Sequence, residues 1–303
     1  MTKHSFSGYM SALITPFAND QVDEAAYQRL VDWQITEGIK GVIPCGTTGE
    51  VSLLTDAEQV RLFALCIEAA AGRVPVVAGC GSNSTRHAIE LTLAAQKAGA
   101  DAALHVTPYY NKPTQEGLYQ HFKAIHDATN IPIILYNIPG RSVVNISIET
   151  QARLAQLPRI VGVKDATGDI IRPARTRMTC GPDFIQLTGE DANTLPFLAQ
   201  GGHGAISVTS NIAPRLCMQM YDAYQAGDMA TAQAISDSLL PLHDAMFVET
   251  SPAPVKYAAS LLGLCRNELR LPLVPVTKAT EKQVEDAMDK LGMLASMPKA
   301  ARA

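Results

Sequence analysis

The sequence predicts a (β/α)8 barrel followed by a C-terminal helical extension. Three observations lead there. Eight short β-branched or apolar runs occur along the chain, at residues 12–15, 41–44, 74–78, 102–106, 132–136, 160–164, 184–188 and 205–209. Most are continuous rather than alternating, as strands covered on both faces of a parallel sheet must be. Runs after the first start far enough apart for one crossover helix in each gap. A doubly wound open sheet has the same periodicity and stays the alternative; eight units favour the barrel.

The intervening segments read as helices. Tyr27, Leu30 and Val31 lie on one helical face after the first strand. After the second, Thr55 and Glu58 have the spacing of a capping box. Val60, Phe63, Ala64 and Ile67 follow on one face, with Gly72 as the stop. Leu118, Phe122 and Ile125 mark a helix after the fourth strand. Beyond residue 212 the strand signal fades, and 218–225, 229–240, 255–262 and 280–291 read as helices. We therefore divide the chain into a barrel, 1–225, and a helical region packed on it, 226–303.

Composition excludes several classes of function. The chain has 303 residues, 47% hydrophobic and 18% charged, with a net charge of -4. Enough apolar side chain is present for a large core, and no basic face suggests nucleic acid. Residues 1–16 lack the apolar run of a leader peptide, and the uncharged stretch 192–214 is broken by prolines and glycines, so neither export nor a membrane span is expected. Six cysteines without a C-x-x-C pair read as reduced core thiols in a cytoplasmic protein. There is no clustered Cys/His set, H-E-x-x-H or P-loop, so no metal or nucleotide is expected. Gly79-Cys80-Gly81 lacks the third glycine of a dinucleotide fingerprint, since Ser84 stands there.

In a barrel the chemistry sits on the loops after the strands. Those positions hold Gly46-Thr47-Thr48-Gly49-Glu50, Pro108-Tyr109-Tyr110-Asn111, Tyr136-Asn137 with Arg141, Lys164-Asp165 and Gly189-Glu190. Lys164 closes an apolar strand and, by alternation, shares a face with Gly162 and Ile160. Desolvation there favours the neutral amine, the form that attacks a carbonyl. A strand-end lysine can instead snorkel to water. Tyr136 and Tyr110, with Thr48 between them, can pass protons if they lie within hydrogen-bond reach; each tyrosine can equally be a packing residue. Arg141 follows a Pro-Gly turn and carries a fork suited to a carboxylate, or is simply solvated. The Gly46–Gly49 segment offers amides and hydroxyls to a second carboxylate, or is only a tight turn.

These segments together resemble one family. Gly46-Thr47-Thr48-Gly49-Glu50, Pro108-Tyr109-Tyr110-Asn111-Lys112-Pro113, Tyr136-Asn137-Ile138-Pro139-Gly140-Arg141, Gly162-Val163-Lys164-Asp165-Ala166-Thr167-Gly168 and the segment 201–209 are similar to those of the pyruvate-dependent class I aldolases, and within them to the dihydrodipicolinate synthases rather than the N-acetylneuraminate lyases. The likeness runs from Ala12 to Lys256.

It implies Lys164 as the Schiff-base lysine, and Tyr136, Thr48 and Tyr110 as a proton relay. Tyr110 would enter a neighbouring subunit's site, in a homotetramer of tight dimers. It implies Thr47 and Thr48 on the pyruvate carboxylate, Arg141 on that of L-aspartate 4-semialdehyde, and Gly189 and Ile206 as pocket lining. No cofactor is implied beyond the covalent imine. The reaction implied is the 4-hydroxy-tetrahydrodipicolinate synthase step of the diaminopimelate route to lysine. A sugar-acid aldolase or dehydratase, or a non-catalytic pyruvate-binding barrel, are the alternatives. Asn83 and Tyr109 match an allosteric lysine site of some members, but Val51, Asp56, Gln59 and His87 replace its polar groups, so inhibition by lysine is expected to be weak or absent.

Overall fold

The computed structural model describes residues 6–295. Residues 1–5 and 296–303 lie outside the described residues, and with them the start of the 1–16 segment and the outer ends of the two regions divided at 225/226. Eight parallel strands form the barrel: β1 Gly8–Ala12, β2 Gly41–Ile43, β3 Val77–Gly79, β4 Ala102–Val106, β5 Ile133–Asn137, β6 Ile160–Asp165, β7 Ile185–Thr188 and β8 Gly204–Ser207. They are hydrogen-bonded in the order β2-β1-β8-β7-β6-β5-β4-β3. One bridge between Val42 and Val76 joins the two outer strands and closes the ring. The open sheet is therefore excluded.

The helices between strands are α1 Glu24–Thr36, α2 Asp56–Ala70, α3 Thr85–Ala98, α4 Gln115–Ala128, α5 Ile148–Leu154, α6 Arg172–Cys180 and α7 Thr194–Ala199. After β8 come α8 Pro214–Gln225, α9 Met229–Ala245, α10 Ala253–Leu261 and α11 Lys278–Lys290. The capping box forms as expected: Glu58 N donates to Thr55 Oγ1 at 3.2 Å and Thr55 N to Glu58 Oε2 at 2.8 Å. Gly72, with φ 69°, follows the left-handed cap Ala71, with φ 49°.

Three strand placements need correction; the third strand lies at Val77–Gly79, not 74–78. The first strand lies at Gly8–Ala12, not 12–15. Leu13 N still donates to the Ile43 carbonyl of β2 at 3.1 Å, but the next two residues leave the ladder: Ile14 N donates to Asn211 Oδ1 and Thr15 Oγ1 to the Gly49 carbonyl. Pro16 has no N–H to extend a strand. The last strand stops at Ser207 rather than 209. There the buried Asp191 carboxylate accepts from Val208 N at 2.8 Å and Thr209 N at 3.1 Å, and a 3-10 turn, Thr209–Asn211, forms instead. A small hairpin, Phe17–Ala18 with Gln21–Val22, was not foreseen; Asn19 and Asp20 turn it with φ of 55° and 62°.

Inside the barrel Met10, Ile43, Val77, Leu104, Ile134, Tyr136, Leu187 and Ile206 meet in one cluster. Strand β6 does not alternate throughout. Its register against β5 shifts between Ile133 and Ile134, passing over Val161. Ile160 consequently packs with the outer residues Leu135 and Val163, whereas Lys164 stands beside the inner Tyr136 and Leu187, so Lys164 and Ile160 do not share a face. The C-terminal helices join the barrel's largest cluster: Leu239, Leu242, Val255, Val284 and Met288 belong with Leu13, Tyr27 and Phe63. Among the described residues, no helix is long and apolar enough to cross a membrane.

Candidate active site

The strand ends converge on a cleft of about 430 Å³. Thr47, Val51, Tyr109, Arg141, Ser251 and Leu273 are among its lining residues. Lys164, Tyr136 and Thr48 are not on that lining. They lie in the barrel mouth at 5%, 5% and 4% exposure.

Lys164 is set by its strand neighbours. It pairs with Tyr136 of β5 on one side and Leu187 of β7 on the other. Its Nζ lies 4.2 Å from the centroid of the Tyr136 ring, a cation–π distance. Gly189, just past β7, walls the other side of the chain: a Cβ there would lie 2.8 Å from Lys164 Cε and 2.8 Å from Ala166 Cβ. Ile206 is fully buried in the inner cluster with Tyr136 and Leu187. Glu190 follows Gly189. Burial and the neighbouring Asp191 raise its carboxyl above the ordinary range, while the charges of Lys164 and Arg141 oppose that rise.

Thr47 and Thr48 stand on a 3-10 turn, Thr47–Gly49, directly after β2. Arg141 sits in a single turn of helix, Pro139–Ser142, after β5. Asn137 fixes the loop that follows: its Oδ1 accepts from Ile146 N at 3.0 Å and its Nδ2 donates to Asn145 at 2.8 Å. Ser142 Oγ accepts from Thr107 at 2.9 Å. The Arg141 guanidinium is exposed on the cleft and donates from Nη2 to the Ser251 carbonyl at 3.0 Å.

The structure thus brings together Lys164, Tyr136, Gly189 and Ile206 in the mouth, and Thr47, Arg141 and Tyr109 on the cleft. Tyr110 is not brought to them. It is 91% exposed, with φ 70°, and is absent from the cleft lining. Asn83 is also off that lining; its carbonyl accepts from Asn111 Nδ2 at 2.9 Å. Val51, Asp56, Gln59 and His87 do line the cleft, and three of them are paired with protein groups: His87 Nε2 meets Asp56 at 3.0 Å, its Nδ1 meets Ser82 Oγ at 3.2 Å, and Gln59 Nε2 donates to the Leu54 carbonyl at 3.5 Å.

Sequence reasoning gave no role to Glu50 or Lys256. They form a buried ion pair, 2.6 Å between Nζ and Oε1. The available signal was a lysine inside the apolar stretch from Ala253 to Ala259. Beside Lys164, Asp165 lies buried against Arg172, 2.6 Å between Oδ2 and Nε. The approach is close but not aligned as a hydrogen bond, so charge rather than direction holds it. Among the described residues, no group of three His, Cys, Asp or Glu side chains is arranged to hold a metal ion.

A closed (β/α)8 barrel with a buried lysine and polar groups gathered at the C-terminal strand ends defines a barrel enzyme. Comparison narrows the class. The dihydrodipicolinate synthetase family matches residues 5–291. The 4-hydroxy-tetrahydrodipicolinate synthase of Rhodospirillum centenum is 62% identical over 289 residues, 95% of this chain and 99% of the relative. The solved dihydrodipicolinate synthase of Thermotoga maritima superposes with a TM-score of 0.94 at 42% identity, covering 96% of this chain and 100% of that one. A chloride-inhibited dihydrodipicolinate synthase of Acinetobacter baumannii, complexed with pyruvate, gives 0.93 at 42% identity, covering 95% and 100%. The chain belongs to the dihydrodipicolinate synthetase family. It is an enzyme, a lyase of the synthase type.

Proposed function

We propose that the chain condenses pyruvate with L-aspartate 4-semialdehyde to 4-hydroxy-tetrahydrodipicolinate, in the diaminopimelate route to lysine, through an imine on Lys164. One observation carries this reading: Lys164 is buried, its Nζ against the Tyr136 ring and its stem packed on Gly189. A confined amine next to a phenol is what imine formation needs. The amine adds to the carbonyl of pyruvate, and water leaves after proton transfer to the carbinolamine oxygen. Loss of a methyl proton then gives the enamine. Its carbon bonds the aldehyde carbon of the second substrate, whose oxygen takes up a proton. The product's own amine displaces Lys164, releasing the lysine and closing the ring.

Thr47 and Thr48 hold the pyruvate carboxylate, and Arg141 orients that of the aldehyde. Gly189, through its carbonyl, and Ile206 line the pocket. Tyr136 and Thr48 move protons, with Tyr110 as third member. Because Tyr110 is exposed and outside its own chain's cleft, a second copy supplies it, which favours a dimer and, by family likeness, a homotetramer of such dimers. The imine is the electron sink, so the reaction uses no metal or organic cofactor. Composition and unpaired cysteines favour the cytoplasm. Borohydride reduction in the presence of pyruvate should add a three-carbon acid to Lys164 and abolish turnover. Reduction that leaves Lys164 unmodified sinks the imine mechanism.

A further inference from the structure

Two elements face the cleft from different strands: the Thr47–Gly49 turn after β2 and the Pro139–Ser142 turn after β5. Both are gripped by one C-terminal stretch. Ser251 accepts the Arg141 guanidinium at its carbonyl, 3.0 Å away. Five residues on, in α10, Lys256 donates from Nζ to Glu50 Oε1 at 2.6 Å. The other carboxylate oxygen of Glu50 accepts from the backbone N–H of Arg270 at 3.2 Å. Neither side chain of the ion pair has any exposure.

Such a pair is a poor source of net stability. Desolvation of two charges offsets most of their attraction, and an apolar pair of similar volume often does as well or better. Lys256 is flanked by buried Ala253, Pro254, Val255, Tyr257 and Ala258, where an apolar residue would fit the surroundings. What the pair supplies is geometry. Glu50 has φ 57° and ψ 35°, a left-handed conformation that residues other than glycine adopt sparingly. It is the joint between two 3-10 turns: its N–H donates to the Thr47 carbonyl at 3.1 Å, and its carbonyl accepts from Leu53 N at 2.8 Å. Thr15 Oγ1 ties the adjacent Gly49 carbonyl at 2.8 Å, and the Phe17 ring lies 4.2 Å below the Lys256 ammonium. Rotation of Glu50 would swing Thr47 and Thr48 as one body.

We infer that Glu50 and Lys256 are a positioning pair: they fix the Thr47–Thr48 hydroxyls over the mouth and, through Ser251, tie that setting to the reach of Arg141. The inference rests on the reading that these two elements hold the two substrate carboxylates. Lys256→Met alone would strand the Glu50 charge and is expected to fold poorly. The deciding variant is the double, Glu50→Gln with Lys256→Met, which removes both charges.

The experiment is steady-state kinetics with both substrates varied, alongside thermal unfolding and borohydride trapping with pyruvate. The double variant should fold, and Lys164 should still be trapped at saturating pyruvate. The pyruvate KM should rise about 10-fold or more, the worth of a weakened hydrogen bond to a charged carboxylate, and the aldehyde KM should rise with it. The kcat should fall as well, by about 10-fold or more, because Thr48 also moves protons and a misplacement of about 1 Å is worth on the order of 100-fold in rate. A folded double variant with wild-type KM values overturns the inference and leaves the proposed function standing. A double variant that does not fold also overturns it, by making the pair a requirement of the fold. If wild-type Lys164 cannot be trapped at all, the functional reading fails and takes this inference with it.

Discussion

Replacing Gly189 with alanine adds one methyl group where the lysine chain runs. Its carbon would lie 2.8 Å from both Lys164 Cε and Ala166 Cβ, against 3.4–4 Å for ordinary contact. Roughly half an ångström must therefore be found on two sides at once. Ala166 is short and tied to the backbone, so the flexible lysine gives way first. Gly189 is not in the left-handed region, so the effect is steric and not conformational. Overpacking of this kind costs about 1–3 kcal/mol, and in a chain of this size each kcal/mol lowers Tm by about 1–2 °C. The larger effect is on chemistry. Shifting the amine by a few tenths of an ångström to 1 Å should slow the reaction by about 10- to 100-fold. The assay is the rate of borohydride-trapped adduct at saturating pyruvate, beside kcat in a reductase-coupled assay and Tm by calorimetry. Wild-type trapping and kcat in the folded variant would refute the claim that Gly189 exists to make room for Lys164.

Further outcomes follow from other contacts. Arg141→Ala should raise the KM for the aldehyde about 10-fold or more, the worth of a hydrogen bond to a charged group, while pyruvate trapping stays as in the wild type. Glu58, held by the Arg270 guanidinium at 2.6 Å, has its carboxyl pulled down to about 2. Its folded value lies below the unfolded one, so its contribution is present above roughly pH 4.5 and is lost as pH falls toward 2. With solvent screening we expect about 1–2 kcal/mol; urea unfolding across pH 2–6 should show that dependence in the wild type and a flatter one in Arg270→Met. Lysine added to millimolar levels should leave turnover nearly unchanged, because Asp56 and His87 are engaged with each other; strong inhibition would refute this.

What could be read from the chain was what is local. The continuous runs gave the barrel, and Thr55 with Glu58 gave a helix start that formed as expected. The first strand was misplaced because hydrophobicity peaks at Leu13 and Ile14, whereas the ladder lies on Gly8–Ala12, which includes a glycine and a serine. Nothing near residue 13 reveals that Asn211, nearly 200 positions away, will take the Ile14 amide. The same holds for Glu50 and Lys256, separated by 206 positions. The bulge at Val161 was equally hidden, since strict alternation had put Ile160 on the face of Lys164. The resemblance supplied candidate site residues, while the two turns and their C-terminal grip needed coordinates.

The ring of strands is not stitched evenly. Every neighbouring pair but one carries a ladder; between β2 and β3 stands a single bridge at Val42 and Val76, with one more bond from Gly79 N to the Pro44 carbonyl at 2.9 Å. At that place the backbones nearly touch, since a Cβ on Gly79 would fall 2.1 Å from the Cys45 carbonyl oxygen. Few bonds at a close approach make a seam that can part without unzipping a ladder. Thr47 and Gly81, both facing the cleft, sit just beyond its two edges. Breathing of the barrel is therefore concentrated beside the pocket, and amide exchange should run fastest, among the barrel strands, in β2 and β3.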